Sequence, residues 1–320
     1  MRKLATVRVI KDVVPIVKAD SIELIVVDGW QSVDKKGKYH IGERIIYCEV
    51  DSCLPILPEY EFLRKSSYKV LHTGEECFLL KSMKLRGELS QGLIIPLTFD
   101  AEVGEDVTDR LGITLYDPPL PAEMEGEAIG HFPSFISKTS EERIQNLVYE
   151  QLLEKTYYVT EKLNGVSGTI FHNRGQFGVC GRRYELANVE GSIFWDIVKE
   201  KGIEDKLRRL GNYAIQGEVI GRRKPYRFEK DSIYIFNVVN IDTGGKLGIE
   251  FENFVHNMGL ETVPILDRQY VLPSYKELLL WANGKSMINS KIDREGLVIR
   301  SLEGDISFKV ISNKNLLEEE

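Results

Sequence analysis

Between Gly104 and Pro133 the chain loses every apolar period, and its middle, YDPPLPAEMEGEAIG, is dense in proline, glycine and acid. Such a stretch cannot continue a helix or a sheet ladder, so the sequence on either side must fold separately. The chain has 320 residues, 42% of them hydrophobic, which is enough for two cores. The expected organisation is a first domain over 1–120, a linker over 121–135 and a second domain over 136–320.

Before the interruption the pattern is that of short strands separated by turns. LATVRVI, IELIVVDGW, ERIIYCEV, CFLLKSMKL and GLIIPL are punctuated by Gly37, Gly42, Pro55, Pro58, Gly74 and Gly87. Five strands in fewer than about a hundred residues suit a partly open barrel of the OB kind, whose face binds oligonucleotides.

After the interruption the pattern is mixed. TSEERIQNLVYEQLLEK predicts a helix with Ser140 as N-cap, Glu141 and Glu142 in its first turn and Ile144, Leu147 and Val148 on one apolar face. Strands follow at YYVTEKL, GTIFHN, FGVCG, NYAIQGEVI, SIYIFNVVNI, GLVIRS and ISFKVIS, with helices around Ser192–Leu210 and Ser274–Asn283. The class is α+β with antiparallel sheets. The terminal LLEEE reads as a frayed acidic end.

The formal net charge of -7 excludes a protein that coats nucleic acid non-specifically. Local basic clusters remain: Lys35, Lys36 and Lys38; Arg182 and Arg183; Arg222, Arg223, Lys224 and Arg227. Each is a solvated loop or a phosphate contact. Cys48, Cys53, Cys77 and Cys180 have no metal or disulfide spacing and lie in strand-like sequence, as small buried thiols do. His40, His72, His131, His172 and His256 show no ligand spacing either. No apolar run is long enough to cross a bilayer, and MRKLATVRVIKDVVPIVKAD is broken too early for a signal peptide. A cytoplasmic protein with no membrane contact is expected, and nothing calls for an obligate protein partner.

Thr160-Glu161-Lys162-Leu163-Asn164-Gly165 places a lysine at a strand end, just before a glycine that permits a tight turn. A lysine there can be held at a cleft wall. To act as a nucleophile it must be neutral, which its neighbours or desolvation must bring about. Read alone, a lysine such as Lys162 is more often a solvent-facing strand end. Phe236 is a core aromatic or a stacking platform, and Glu218 and Glu295, within apolar strands, are ion-pair partners or ligand contacts.

Six segments in chain order give these residues a common meaning. Lys162-Leu163-Asn164-Gly165, Val179-Cys180-Gly181-Arg182-Arg183, Gln216-Gly217-Glu218-Val219-Ile220-Gly221, Ile233-Tyr234-Ile235-Phe236-Asn237-Val238, Arg294-Glu295-Gly296-Leu297-Val298-Ile299 and Ser307-Phe308-Lys309-Val310-Ile311 resemble the motif series of the covalent nucleotidyltransferases, the superfamily of ATP-dependent ligases and capping enzymes. The resemblance runs over roughly residues 155–315. It implies an antiparallel α+β nucleotidyltransferase domain of an ATP-grasp-like ligase kind behind an N-terminal OB-like β-barrel. An OB domain placed before the transferase resembles the ATP-dependent RNA ligases of the Deinococcus type, whereas DNA ligases usually carry it after.

By that resemblance Lys162 is the site of covalent AMP attachment, and Glu161, Asn164, Arg182, Glu218, Phe236 and Lys309 contact the nucleotide. Glu218 would meet the ribose, Phe236 the adenine and Lys309 the α-phosphate, while Glu295 would bind Mg²⁺ or Mn²⁺. The implied cofactor is ATP, and the implied partner is RNA or a nicked RNA/DNA duplex sealed between a 3′-hydroxyl and a 5′-phosphate.

Two positions depart from the pattern. Asn164 is neutral where the motif has an acid or a histidine, and Ile311 stands where several relatives have a second lysine that Lys314 would have to replace. The first domain, with LRGELSQGLIIPL, also resembles OB modules that bind transfer RNA. An RNA-binding protein with an inactive transferase domain is therefore the rival reading, and a DNA ligase or a capping guanylyltransferase are others.

Overall fold

A computed structural model describes residues 3–17, 19–116, 127–223, 225–302 and 304–314. The chain divides into two compact units near residue 120. Part of the expected linker, 121–126, lies outside the described residues, as do Lys224 of the basic cluster and the acidic end LLEEE.

The first unit is built almost entirely of short antiparallel strands. Arg44–Cys48 lies at its centre, between Ala5–Val9 and Leu93–Pro96. Its alternating side chains serve two cores: Ile46 and Cys48 pack with Val7, Leu54 and Phe78, while Ile45 and Tyr47 pack with Ile25, Val27 and Trp30. A strand buried on both faces reads as a continuous apolar run, and RIIYC is one. Gly92 must be glycine: a Cβ there would lie 2.2 Å from the Cys48 carbonyl oxygen, and its φ is +64°.

Two expected strands are broken. IELIVVDGW is half of a hairpin, Ile22–Val27 paired with Trp30–Lys35 across a two-residue turn in which Asp28 takes φ 52°. Arg8 and Lys11 hold that aspartate at 2.7 and 3.2 Å. CFLLKSMKL splits into Glu76–Leu79, beside Ser52–Leu54, and Met83–Leu85, which forms its own hairpin with Glu88–Ser90. A short helical segment over Pro58–Ser67 carries no apolar period and was not foreseen.

The second unit holds a seven-stranded and a five-stranded sheet. In the larger, the central strands are Val166–Asn173, Tyr213–Ile220 and Ser232–Asn240, all antiparallel. Helices Ile193–Lys201 and Ile203–Leu210, separated by Gly202 at φ +59°, cover one face through Phe194, Ile197, Val198, Ile203 and Leu207. Ala128–His131, inside the expected linker, is an edge strand of this sheet, paired with Tyr184–Leu186. The smaller sheet runs in the order Glu142–Arg143, Ser307–Ile311, Gly296–Ser301, Tyr157–Lys162, Ile265–Tyr270. Helix Tyr275–Ala282 begins with a capping box between Ser274 and Glu277, as the sequence signal requires. Helix Phe251–Asn257 and strand Ile265–Tyr270 were not foreseen.

The helix expected over 139–155 does not form. Glu142–Arg143 pairs in parallel with Phe308–Lys309, followed by 3-10 turns at Ile144–Asn146 and Tyr149–Leu152. A helix would put Ile144 and Val148 on one face, yet Ile144 is fully buried and Val148 is 56% exposed. Glu141, expected in the first helical turn, accepts hydrogen bonds from Arg300 and Ser307. Burial opposes its charge, but the adjacent Arg300 guanidinium holds the carboxyl below its ordinary range. Tertiary pairing has overridden local propensity.

Candidate active site

Tyr157–Lys162 is flanked by Gly296–Ser301 on one side and Ile265–Tyr270 on the other, and its first five residues are buried. Register sorts its side chains. Tyr157 and Val159 face a core shared with Leu297, Ile299, Phe308 and Val310. On the opposite face Thr160 stands beside Val298 and Val298 beside Lys309, while Lys162 stands beside Gly296. Lys162 and Lys309 thus emerge on one face, with Val298 as apolar floor between their rows. Gly296 has to be glycine, because a Cβ would lie 2.2 Å from the Val310 carbonyl oxygen.

The residue before Gly296 completes the centre. Lys162 Nζ donates to Glu295 Oε1 at 2.5 Å, with the two side chains 26% and 14% exposed. Glu295 is held through its own backbone, its carbonyl accepting from Ser312 N–H at 2.8 Å. From the other sheet Glu218 Oε1 accepts the Gly165 N–H at 3.1 Å. Burial pushes the Glu218 carboxyl up to about 7, against the attraction of Lys162 and with the repulsion of Glu295. Arg182, exposed just beyond Gln176–Cys180, adds its positive charge to the field at Glu218. The turn after Lys162 is tight because Gly165 lies on the neighbouring strand, where a Cβ would be 2.3 Å from the Val219 carbonyl oxygen.

Phe236 owes its placement to a bulge. Gln216 pairs with Asn237 and Gly217 with Ile235, so Phe236 is the unopposed residue between them. The bulge lets Ile233, Ile235 and Val238 all reach the core beneath the helices, while Tyr234 and Phe236 pack with Leu163, Ile220, Tyr226 and Val263. Phe236 stays half-buried, with part of its ring accessible.

Some expected residues lie elsewhere. Strand alternation turns Glu161 away from Lys162: it is 1% exposed, and its Oε2 accepts the Met287 N–H at 2.7 Å. Its side chain is not among those gathered around Lys162. Asn164 donates its backbone N–H to the Tyr226 hydroxyl at 3.4 Å. It lines a cavity of about 230 Å³ with Val166, Phe194, Val219, Ile220 and Arg223, a cavity that excludes Lys162, Glu218 and Glu295. Lys314, with its side chain 58% exposed, lies 3.8 Å from Asp293, which Lys285 also holds at 2.6 Å. Ile311 remains an apolar neighbour of Gly296, 6% exposed. Tyr226 and Val298 join the site without having been singled out; Tyr226 sits in a loop with no period, and Val298 gains meaning only from register.

Glu295 supplies a hard carboxylate oxygen of the kind that suits Mg²⁺ or Mn²⁺ completed by phosphate and water, and the charge of Glu218 acts on it from the other sheet. No group of three or more histidine, cysteine, aspartate or glutamate ligands occurs among the described residues. All four cysteines are free and buried, and burial pushes the Cys48 and Cys53 thiols up to about 12. Among the described residues no helix is long and apolar enough to cross a membrane.

The family description "RNA ligase" matches residues 155–311, and "OB-fold domain" matches 4–97. Among solved structures, a variant of the Naegleria gruberi RNA ligase with AMP and Mn superposes with a TM-score of 0.92 at 35% identity, covering 100% of this chain and 99% of that one. The same organism's RNA ligase with PPi gives 0.91 at 37% identity, covering 99% and 98%. A further variant, with ATP and Mn, gives 0.92 at 35%, covering 99% of each chain. No curated protein sequence matches. An N-terminal OB-fold domain, a mixed α+β ligase domain and relatives this similar over their whole length place the chain in the RNA ligase family.

Proposed function

We propose that this protein is an ATP-dependent RNA ligase that carries AMP on Lys162 and seals a 3′-hydroxyl to a 5′-phosphate in RNA-containing strands. The observation that carries this reading is the Lys162 amine at a cleft face, 2.5 Å from Glu295 and beside Glu218. The Naegleria ligases with ATP or AMP and Mn supply the cofactor assignment.

In the first step Lys162 Nζ forms a bond to the α-phosphorus of ATP and the bond to pyrophosphate breaks, leaving a lysine-AMP phosphoramidate. Attack needs a neutral, unpaired amine, so the Glu295 contact must open and the amine's proton must leave. AMP then passes to a 5′-phosphate oxygen, freeing Lys162. A 3′-hydroxyl oxygen displaces AMP to form the phosphodiester. Lys309, on the same face, and Arg182 provide fixed positive charge for the phosphate oxygens, and Phe236 offers its accessible ring to the adenine. Mn²⁺ or Mg²⁺ at Glu295 would neutralise charge on the same oxygens, and Glu218 would meet the ribose. Nicked RNA/DNA duplexes are the proposed substrate, and the reducing cytoplasm, which suits four free thiols, the proposed location.

Incubation with α-labelled ATP or GTP, followed by nicked duplexes with RNA or DNA at the 3′-hydroxyl end, tests this. Label from ATP and preferential sealing of the RNA-ended nick are expected. Label from GTP indicates a capping enzyme, equal sealing of the all-DNA nick a DNA ligase, and no label an RNA-binding protein with an inactive transferase.

A further inference from the structure

Directly behind the Lys162–Glu295 pair lie the buried side chains of their chain neighbours. Glu161 precedes Lys162 and Arg294 precedes Glu295. Both side chains are buried, at 1% and 8% exposure. Glu161 Oε2 accepts the Met287 N–H at 2.7 Å while its Oε1 is buried without a hydrogen-bond partner among the described residues, and its charge and that of Arg294 attract each other across the site's back. Ser286 Oγ in turn accepts the Ile288 N–H at 3.2 Å and the Asn289 N–H at 3.4 Å, closing the turn that presents Met287 to Glu161.

These contacts secure one loop. Residues 284–294 double back through Ser286 N–H to the Ile292 carbonyl at 3.1 Å and Arg294 N–H to the Gly284 carbonyl at 3.0 Å. Gly284 makes room for the guanidinium: a Cβ there would lie 2.1 Å from Arg294 Nη2. The loop ends on Glu295. A buried carboxylate that costs desolvation and faces away from the cleft therefore ties Glu295's loop to the strand that ends on Lys162.

We propose that Glu161 is a positioning residue which, through the Met287 N–H and the charge of Arg294, holds Glu295 at bonding distance from Lys162. This rests on reading Lys162 and Glu295 as the reacting pair. It gives the sequence Glu-Lys a physical reason: one residue acts in the cleft and the other anchors its partner from behind.

A zero-length carbodiimide cross-link tests the geometry directly, because it joins an amine and a carboxyl only when they touch, forming an amide with loss of water. Lys285 and Asp293, 2.6 Å apart within the same loop, serve as internal reference. In Glu161→Ala and Glu161→Gln, peptide mass spectrometry should show the Lys162–Glu295 cross-link falling at least about threefold relative to Lys285–Asp293, a change a loosened contact must give. In the adenylylation assay the Mn²⁺ concentration for half-maximal rate should rise while the KM for ATP stays constant. An unchanged cross-link ratio overturns the proposal, as does a raised KM for ATP with unaltered Mn²⁺ dependence, which would put Glu161 on the nucleotide. Should both variants fail to fold, Glu161→Asp, which keeps the charge but draws the carboxylate back from the Met287 N–H, decides in the same cross-linking assay. The cross-link needs neither ATP nor RNA, so a wild-type protein that forms no AMP adduct sinks the proposed function and leaves this inference to stand or fall on geometry.

Discussion

Lys162 Nζ and Glu295 Oε1 lie 2.5 Å apart although 133 positions separate them in the chain. Two antiparallel neighbours make this contact: one strand ends on the lysine, and the other begins just after the glutamate. Lys162→Ala should abolish the covalent AMP adduct with little loss of stability, since the side chain is partly exposed. Intact-mass measurement after incubation with ATP checks it; a retained AMP mass in the mutant would remove Lys162 from the chemistry.

Glu295→Ala should fold normally and lower strand joining by about a hundredfold or more, the scale of removing a fixed charge-stabilising group. Joining rates across Mg²⁺ and Mn²⁺ titrations provide the test. Wild-type rates at all metal concentrations would show that the carboxylate is only an ion-pair partner.

Glu218 predicts a pH effect on stability. Its carboxyl is raised from an ordinary value of 4.5 to about 7. The folded state therefore binds this proton more tightly than the unfolded chain does. That contribution is fully present below about pH 4.5 and is lost as pH rises to about 7, so above 7 the buried charge is a net cost. Glu218→Gln should raise Tm by a few degrees at pH 8, with the difference shrinking toward zero near pH 4.5. Thermal melts from pH 5 to 8 decide; a difference independent of pH would refute the raised value.

Removal of residues 1–120 should spare adenylylation and cripple sealing. All the residues proposed for the nucleotide lie beyond 155, whereas an OB-fold surface holds a strand by stacking and phosphate contacts. Parallel adduct and nick-sealing assays on full-length and truncated protein check this. Undiminished sealing by the truncated form would take the first domain out of the mechanism.

Much of the site was legible because its signals are local. A lysine at a strand end before glycine, Glu218 and Glu295 in apolar strands and Lys309 in an alternating one keep their meaning within five or six residues. The longer strands of both units could for the most part likewise be read from alternation, whereas Ile265–Tyr270 and short strands such as Ser52–Leu54 and Ala128–His131 could not. The helix over 139–155 failed for the converse reason. Its caps and apolar spacing were sound locally, but backbone pairing with Phe308–Lys309 and the Arg300 partner of Glu141 outweighed them.

By itself, the sequence determined which residue types are available for phosphoryl chemistry, their order, and the division into an all-β and an α+β part, since periodicity and turn chemistry act over a few residues. Tertiary structure alone decided which of those residues meet. Register between strands separated by more than a hundred positions put Lys162, Val298 and Lys309 on one face and Glu161 on the other. A single-residue bulge set Phe236. A shift of one residue in pairing exchanges the two faces of a strand, and no local pattern records which pairing the folded chain adopts.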